Sequence, residues 1–147
     1  MKKIILLSLT ISLFACNQKQ EEKVSETRKV PQTIEDAFKK NHPTATILKW
    51  NDEPPIWEAK YQDDKEKGAV SFDSIAQITE TELVIAESEL QNLPSIPKYI
   101  KENYPTEVIK GCEKIDKQNG VIIYEIQITG KELLFDNTGK FLSEELD

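Results

Sequence analysis

Apolar residues recur along the chain at two spacings, and the spacing switches in the same order in each half. Val30, Ile34, Ala37 and Phe38 fall at the three-to-four-residue interval of a helix face, and Ile96 with Ile100 repeats it later. Thr33, with Asp36 three residues on, suits a helix start, as does Ser95 ahead of Pro97. Pro43 and Pro105 end the two helices. Beyond each helix the period falls to two. Trp57, Ala59 and Tyr61 alternate with Glu58 and Lys60, and Tyr124, Ile126 and Ile128 alternate with Glu125 and Gln127, which predicts strands with one apolar face. Val70 with Phe72, and Leu133 with Phe135, mark a further strand in each half, and Ile78 and Phe141 mark another. Asp136-Asn137-Thr138-Gly139 reads as the turn between the last two strands.

The two halves repeat each other. Ile34, Phe38, Lys39, Asn41, Pro43, Thr44 and Ile47 recur as Ile96, Ile100, Lys101, Asn103, Pro105, Thr106 and Ile109. Trp57-Glu58-Ala59 corresponds to Tyr124-Glu125-Ile126, and Val70-Ser71-Phe72-Asp73 to Leu133-Leu134-Phe135-Asp136. The offset between matched segments drifts, as it does when loops change length and elements stay. The expected fold class is α+β: a tandem repeat of two units, residues 33–92 and 93–147, each a short helix packed on about four antiparallel strands. The expected core is Trp57, Tyr61, Phe72, Tyr124, Ile126 and Phe135, covered by Phe38 and Ile100.

The beginning of the chain has a different character. Lys2 and Lys3 precede an apolar stretch, residues 4–15, that is shorter than the roughly 20 residues a spanning helix needs. Leu13-Phe14-Ala15-Cys16 resembles the lipobox of bacterial lipoproteins, which implies a signal peptide over residues 1–15, cleavage before Cys16 and acylation of that Cys. An ordinary secretory signal is the alternative. Residues 16–32 read as the lipidated Cys and a flexible tether, because Gln, Glu, Lys and Ser dominate and little apolar surface is available to bury. Glu21-Glu22 resembles surface-export signals of some outer-membrane lipoproteins, or else is part of a solvated spacer. The expected location is the cell envelope, lipid-anchored at the outer membrane and facing the periplasm or the cell surface.

Charge narrows the partners. The 147 residues carry 19 Lys plus Arg against 26 Asp plus Glu, a net −7 with a pI near 4.9. Such a chain lacks the basic footprint of a nucleic-acid binder and repels anionic headgroups, so membrane attachment falls to the N-terminal lipid. Catalytic chemistry is sparse. His42 is the only His and sits beside Pro43 at a helix end, leaving a Ser or Cys nucleophile without a base. Cys112 corresponds to Trp50 and reads as a packed strand position, with no disulfide partner once Cys16 is lipidated. Asp52-Glu53 and Asp63-Asp64 are neighbours that point apart in extended chain and read as solvated. Asp136 to Gly139 lacks the ligand series of a calcium loop, and no glycine-rich phosphate loop is present. No catalytic residue, metal or cofactor is expected.

Phe38-Lys39-Lys40-Asn41-His42-Pro43, Trp50, Trp57-Glu58-Ala59, Val70-Ser71-Phe72-Asp73, Leu93-Pro94-Ser95-Ile96, Tyr104-Pro105, Tyr124-Glu125 and Phe135-Asp136-Asn137-Thr138-Gly139 together resemble the PepSY-like family of secreted bacterial proteins. That family's fold is similar to that of the β-lactamase inhibitor protein. The resemblance runs from Thr33 to the end and departs at Ala76, which stands where the family has a turn glycine. It implies a non-enzymatic periplasmic or surface module. Two functional classes stay open: a protein- or peptide-binding module, inhibitor-like and using the sheet face opposite the helices, or a small-ligand-binding or envelope-sensing lipoprotein. On that face the register puts Glu58, Lys60, Glu125 and Gln127, and an unidentified envelope protein or peptide is the expected partner. Solvent faces of antiparallel sheets are normally polar, so Ile123 and Leu134 are expected to centre an apolar patch there unless the tether, a loop or the first unit covers them.

Overall fold

Pro31 and Pro94 precede the two helices, and their rings hold φ at −62°, the value a helix needs. The computed structural model describes residues 28–64 and 66–146, so the signal segment, Cys16 and most of the tether lie outside the described residues. Neither α1 (Gln32–Asn41) nor α2 (Ser95–Asn103) carries a side-chain N-cap. The expected caps are therefore corrected. Proline supplies the helix-starting geometry, Thr33 lies inside α1, and the Ser95 hydroxyl donates to the Thr138 carbonyl at 3.3 Å. At the other end the helices match: the His42 N–H donates to Phe38 O and the Tyr104 N–H to Ile100 O, each at 2.8 Å.

Four strands follow each helix: β1 (Thr46–Glu53), β2 (Ile56–Asp63), β3 (Glu66–Phe72) and β4 (Ile78–Val84), then β5 (Gly111–Lys117), β6 (Ile122–Ile128), β7 (Lys131–Asp136) and β8 (Phe141–Leu146). All pair antiparallel in chain order. The expected two four-stranded sheets are one eight-stranded sheet, because β4 pairs with β5, Glu80 opposite Lys117 and Val84 opposite Glu113. Joining them removes two exposed edges that separate sheets would leave. The connection across this seam carries a 3-10 helix (Glu87–Asn92) and α2.

Directly paired residues share a face. Tyr61, Gly68, Leu83, Lys114, Tyr124 and Phe135 form one row on the helix side, so α1 and α2 cover the same face. Ile34 and Phe38 pack there on Trp57, Ala59, Tyr61, Val70 and Phe72, while Ile96 and Ile100 pack on Cys112, Ile126, Ile128, Leu133 and Phe135. Of the expected core, only Tyr124 is half-buried rather than buried. The expected turn before β8 is present: Asp136 Oδ1 accepts from the Thr138 and Lys140 amides at 2.8 and 3.0 Å. Asp73 repeats it before β4, accepting from the Ile75 and Gln77 amides at 3.0 and 2.8 Å.

Candidate functional site

On the face away from the helices, Lys60, Ala69, Glu82, Ile115 and Ile123 form one paired row. A second row runs Val84, Glu113, Glu125 and Leu134. Long side chains flank small ones here. Ala69 lies between Lys60 and Glu82, and Gly111 lies opposite Gln127, so the surface dips between the strands. At Gly111 the dip is a hollow of about 400 Å³. β2 contributes Glu58 and Lys60 to its lining, β4 contributes Glu82, β5 Gly111 and Glu113, β6 Glu125 and Gln127, and β7 Glu132. Five carboxylates thus face one ammonium group.

Glu58 is only 8% exposed, yet it is satisfied: Asn51 Nδ2 donates to it at 2.6 Å and Lys60 Nζ lies 3.8 Å away. Glu80, outside this lining, pairs with Lys117 Nζ at 3.0 Å across the seam. The other carboxyls of the lining are set differently. Burial first, then Glu58, Glu113, Glu80 and Glu125, push Glu82 up to about 7. Burial, then Glu132, Glu113, Glu145 and Glu80, push Glu125 up to about 7 as well. Burial also raises Glu113, with Lys60 pulling against it. Glu82 and Glu125 thus exchange protons near neutrality, and the cluster suits the reception of a cation or a hydrogen-bond donor. Beside the hollow lies a groove of about 180 Å³ lined by Leu48, Tyr61, Gly68, Ala69 and Val84 together with Lys60, Lys67, Glu82 and Glu113. Leu48 is 61% and Val84 46% exposed.

Of the residues expected from sequence, Glu58, Lys60, Glu125 and Gln127 come together in the hollow. Ile123 and Leu134 lie on the same face, half-buried and outside its lining. Sequence reasoning missed Glu82, Glu113 and Glu132. The alternation Glu80-Thr81-Glu82 along β4 was the available signal, since it places two acids on one face. Other candidates resolve differently. Asp52, expected to be solvated, is bound by the Arg28 guanidinium in a two-pronged ion pair, with Nε to Oδ2 at 2.9 Å. Asp63 accepts from the Thr44 hydroxyl at 3.0 Å. His42 stacks between Phe38 and Tyr61, and burial lowers its pKa. Cys112 is buried and its thiol is pushed up to about 11, which leaves it protonated and a poor nucleophile. Among the described residues no group of three or more His, Cys, Asp or Glu is arranged to hold a metal ion, and no helix is long and apolar enough to cross a membrane.

The model of the PepSY-like family, provisionally described as beta-lactamase-inhibitor-like, matches residues 16–79 and 61–143. No curated protein matches the chain. Among solved structures, a BLIP-like protein of Bacteroides fragilis NCTC 9343 is 26% identical, with 82% of this chain and 89% of that one covered and a TM-score of 0.60. A protein of Bacteroides eggerthii DSM 20697, assigned provisionally to the periplasm, is 16% identical over 81% of this chain and 90% of its own, with a TM-score of 0.71. A DUF2874 family protein of Bacteroides ovatus ATCC 8483 is 18% identical, with 82% and 89% covered and a TM-score of 0.66. The last two likenesses concern the fold alone.

Proposed function

We propose, starting from the fact that the chain belongs to the PepSY-like family, that it is a non-enzymatic binding module of the bacterial envelope which recognises a protein or peptide through the open sheet face. The observation that carries this reading is the contrast between the faces. One is sealed by α1 and α2 over two apolar clusters, while the other holds half-buried carboxylates in a hollow, where desolvation costs free energy that a bound partner offsets. The lining offers carboxylates, an amide and an amine, which bind readily but include no Ser, Cys or His nucleophile. It is too polar for the mostly apolar pockets that enclose small ligands, so a macromolecular partner fits better than the small-ligand alternative.

In the same reading the two units, residues 33–92 and 93–147, are tandem copies that share one sheet, and Cys16 carries the lipid that holds them at the envelope through residues 16–32. Two experiments test the proposal. A photo-crosslinking residue at Gln127 should capture a partner in cells, and one at Lys39 on α1 should not; capture from Lys39 alone refutes the face. Cys16→Ser should release the protein from the membrane fraction, and a variant that still pellets with membranes refutes the anchor.

A further inference from the structure

The hollow and the groove beside it are one continuous surface, because Lys60, Glu82 and Glu113 border both. Their chemistries are complementary. One side is acidic, and the other exposes Leu48 and Val84 with Lys67 on its border. We infer that the open face receives a basic stretch of its partner polypeptide, an Arg or Lys side chain entering the hollow while an adjacent apolar side chain seats between Leu48 and Val84. This rests on the reading of the open face as the binding surface and names the partner's chemistry.

Charge complementarity selects this occupant. Lys60 already lies 3.8 Å from Glu58, which leaves four further carboxyls, Glu82, Glu113, Glu125 and Glu132, with no second cation in the lining of the hollow. A guanidinium answers several carboxylates at once with fixed donors. A second copy would bring the same acidic face and a net charge of −7, so self-docking is repelled. Anionic headgroups are repelled likewise. The chain's own residues 16–27 offer Lys19 and Lys23 only alongside Glu21, Glu22 and Glu26, with no net positive charge.

Ionisation supplies a readout. Glu58 and Lys60 on β2, Glu80 on β4, Glu113 on β5 and Glu125 on β6 surround Glu82; Glu80 on β4, Glu113 on β5, Glu132 on β7 and Glu145 on β8 surround Glu125. Both titrate at about 7, so each gains its negative charge as pH rises through neutrality, and a cation is then held more tightly.

The test is an NMR titration of the full chain with the blocked tetrapeptide Gly-Arg-Leu-Gly. Amide shifts are expected at Val84, Glu113, Glu125 and Gln127. Binding should be about tenfold weaker for Gly-Glu-Leu-Gly, and several-fold tighter at about pH 8 than at about pH 6. Glu82→Gln with Glu125→Gln should remove that pH dependence, and Val84→Asp should weaken binding while leaving the acids in place, with near-UV circular dichroism reporting the fold of each variant. Equal binding of the two peptides, shifts confined to the helix side, or the same shifts produced by calcium chloride alone would each overturn the proposal. The two readings fail separately. Capture from Gln127 that Gly-Arg-Leu-Gly does not compete keeps the binding face and refutes the basic segment, whereas capture from Lys39 alone refutes the face itself.

Discussion

The two halves build one frame from different side chains. Around α1, Phe38 and His42 stack at 5.2 Å, with Trp50 and Tyr61 edge-on to Phe38. Around α2, Tyr99 and Phe141 stack at 4.5 Å and Phe135 meets both edge-on. His42 and Tyr104 occupy the same helix end, yet His42 packs on Tyr61 whereas the Tyr104 hydroxyl donates to Glu144. Before the final strand of each half, Ala76 takes φ of +63° where Gly139 takes +77°. What the halves share is parity and turn geometry. Identity of residue matters only where backbone or space demands it.

The largest effects test whether the halves are one unit. Phe72 and Phe135 are fully buried at matched positions, so Phe72→Ala and Phe135→Ala should each cost about 3–5 kcal/mol in urea unfolding. Because β4 and β5 are paired, both should move a single transition; two separable transitions would mean that the halves melt independently.

The turns give the next contrast. A Cβ on Gly139 would run into Ser95 Oγ and come within 3.2 Å of Ile96 Cγ1, in a backbone conformation L residues disfavour, so Gly139→Ala should cost about 2 kcal/mol. Ala76→Gly relieves the same left-handed conformation but loosens the unfolded chain, for a net gain of about 0.5 kcal/mol. Thermal midpoints that move together for the two changes would refute the distinction.

A smaller effect crosses the seam. Glu82 and Glu125, one from each half, have folded-state pKa values raised to about 7. Below that the folded state holds more protons than the unfolded one, so stability should rise as pH falls from above 7 towards the ordinary glutamate range, and level off there. Denaturant midpoints across this window should flatten in the Glu82→Gln, Glu125→Gln variant. The smallest effect is local to the first half. Arg28, exposed, pairs with Asp52 and lies 5.1 Å from the Trp57 ring centre, so Arg28→Ala should destabilise slightly and salt should erase the difference.

The alternation of Trp57, Ala59 and Tyr61 with charged residues is a local signal, and the structure keeps it. So is the Asp136 turn, whose side chain organises its own backbone. The hollow was legible only in part, because Glu82 and Glu113 meet Glu58 and Glu125 solely through the β4–β5 pairing, and that pairing closes across residues 85–110. No periodicity encodes a junction between segments so far apart. Asp52 was misread for a related reason: its partner, Arg28, lies in a stretch whose composition reads as tether. Thr33 and Ser95 were misplaced as caps because Pro31 and Pro94 already set the geometry that a cap would favour.

The order in which strands pair also bears on how the chain reaches its fold. Within each half every strand joins its immediate predecessor, so these hairpins close short loops and form quickly. The seam closes the longest loop between paired strands, at an entropic cost roughly 2 kcal/mol above that of a short hairpin. It is thus the step expected to lag, leaving the edges of β4 and β5 transiently bare. Glu80 and Glu82 on one edge and Glu113 on the other then act as gatekeepers, since two copies meeting at these edges would set like charges together while the correct partner brings Lys117 to Glu80.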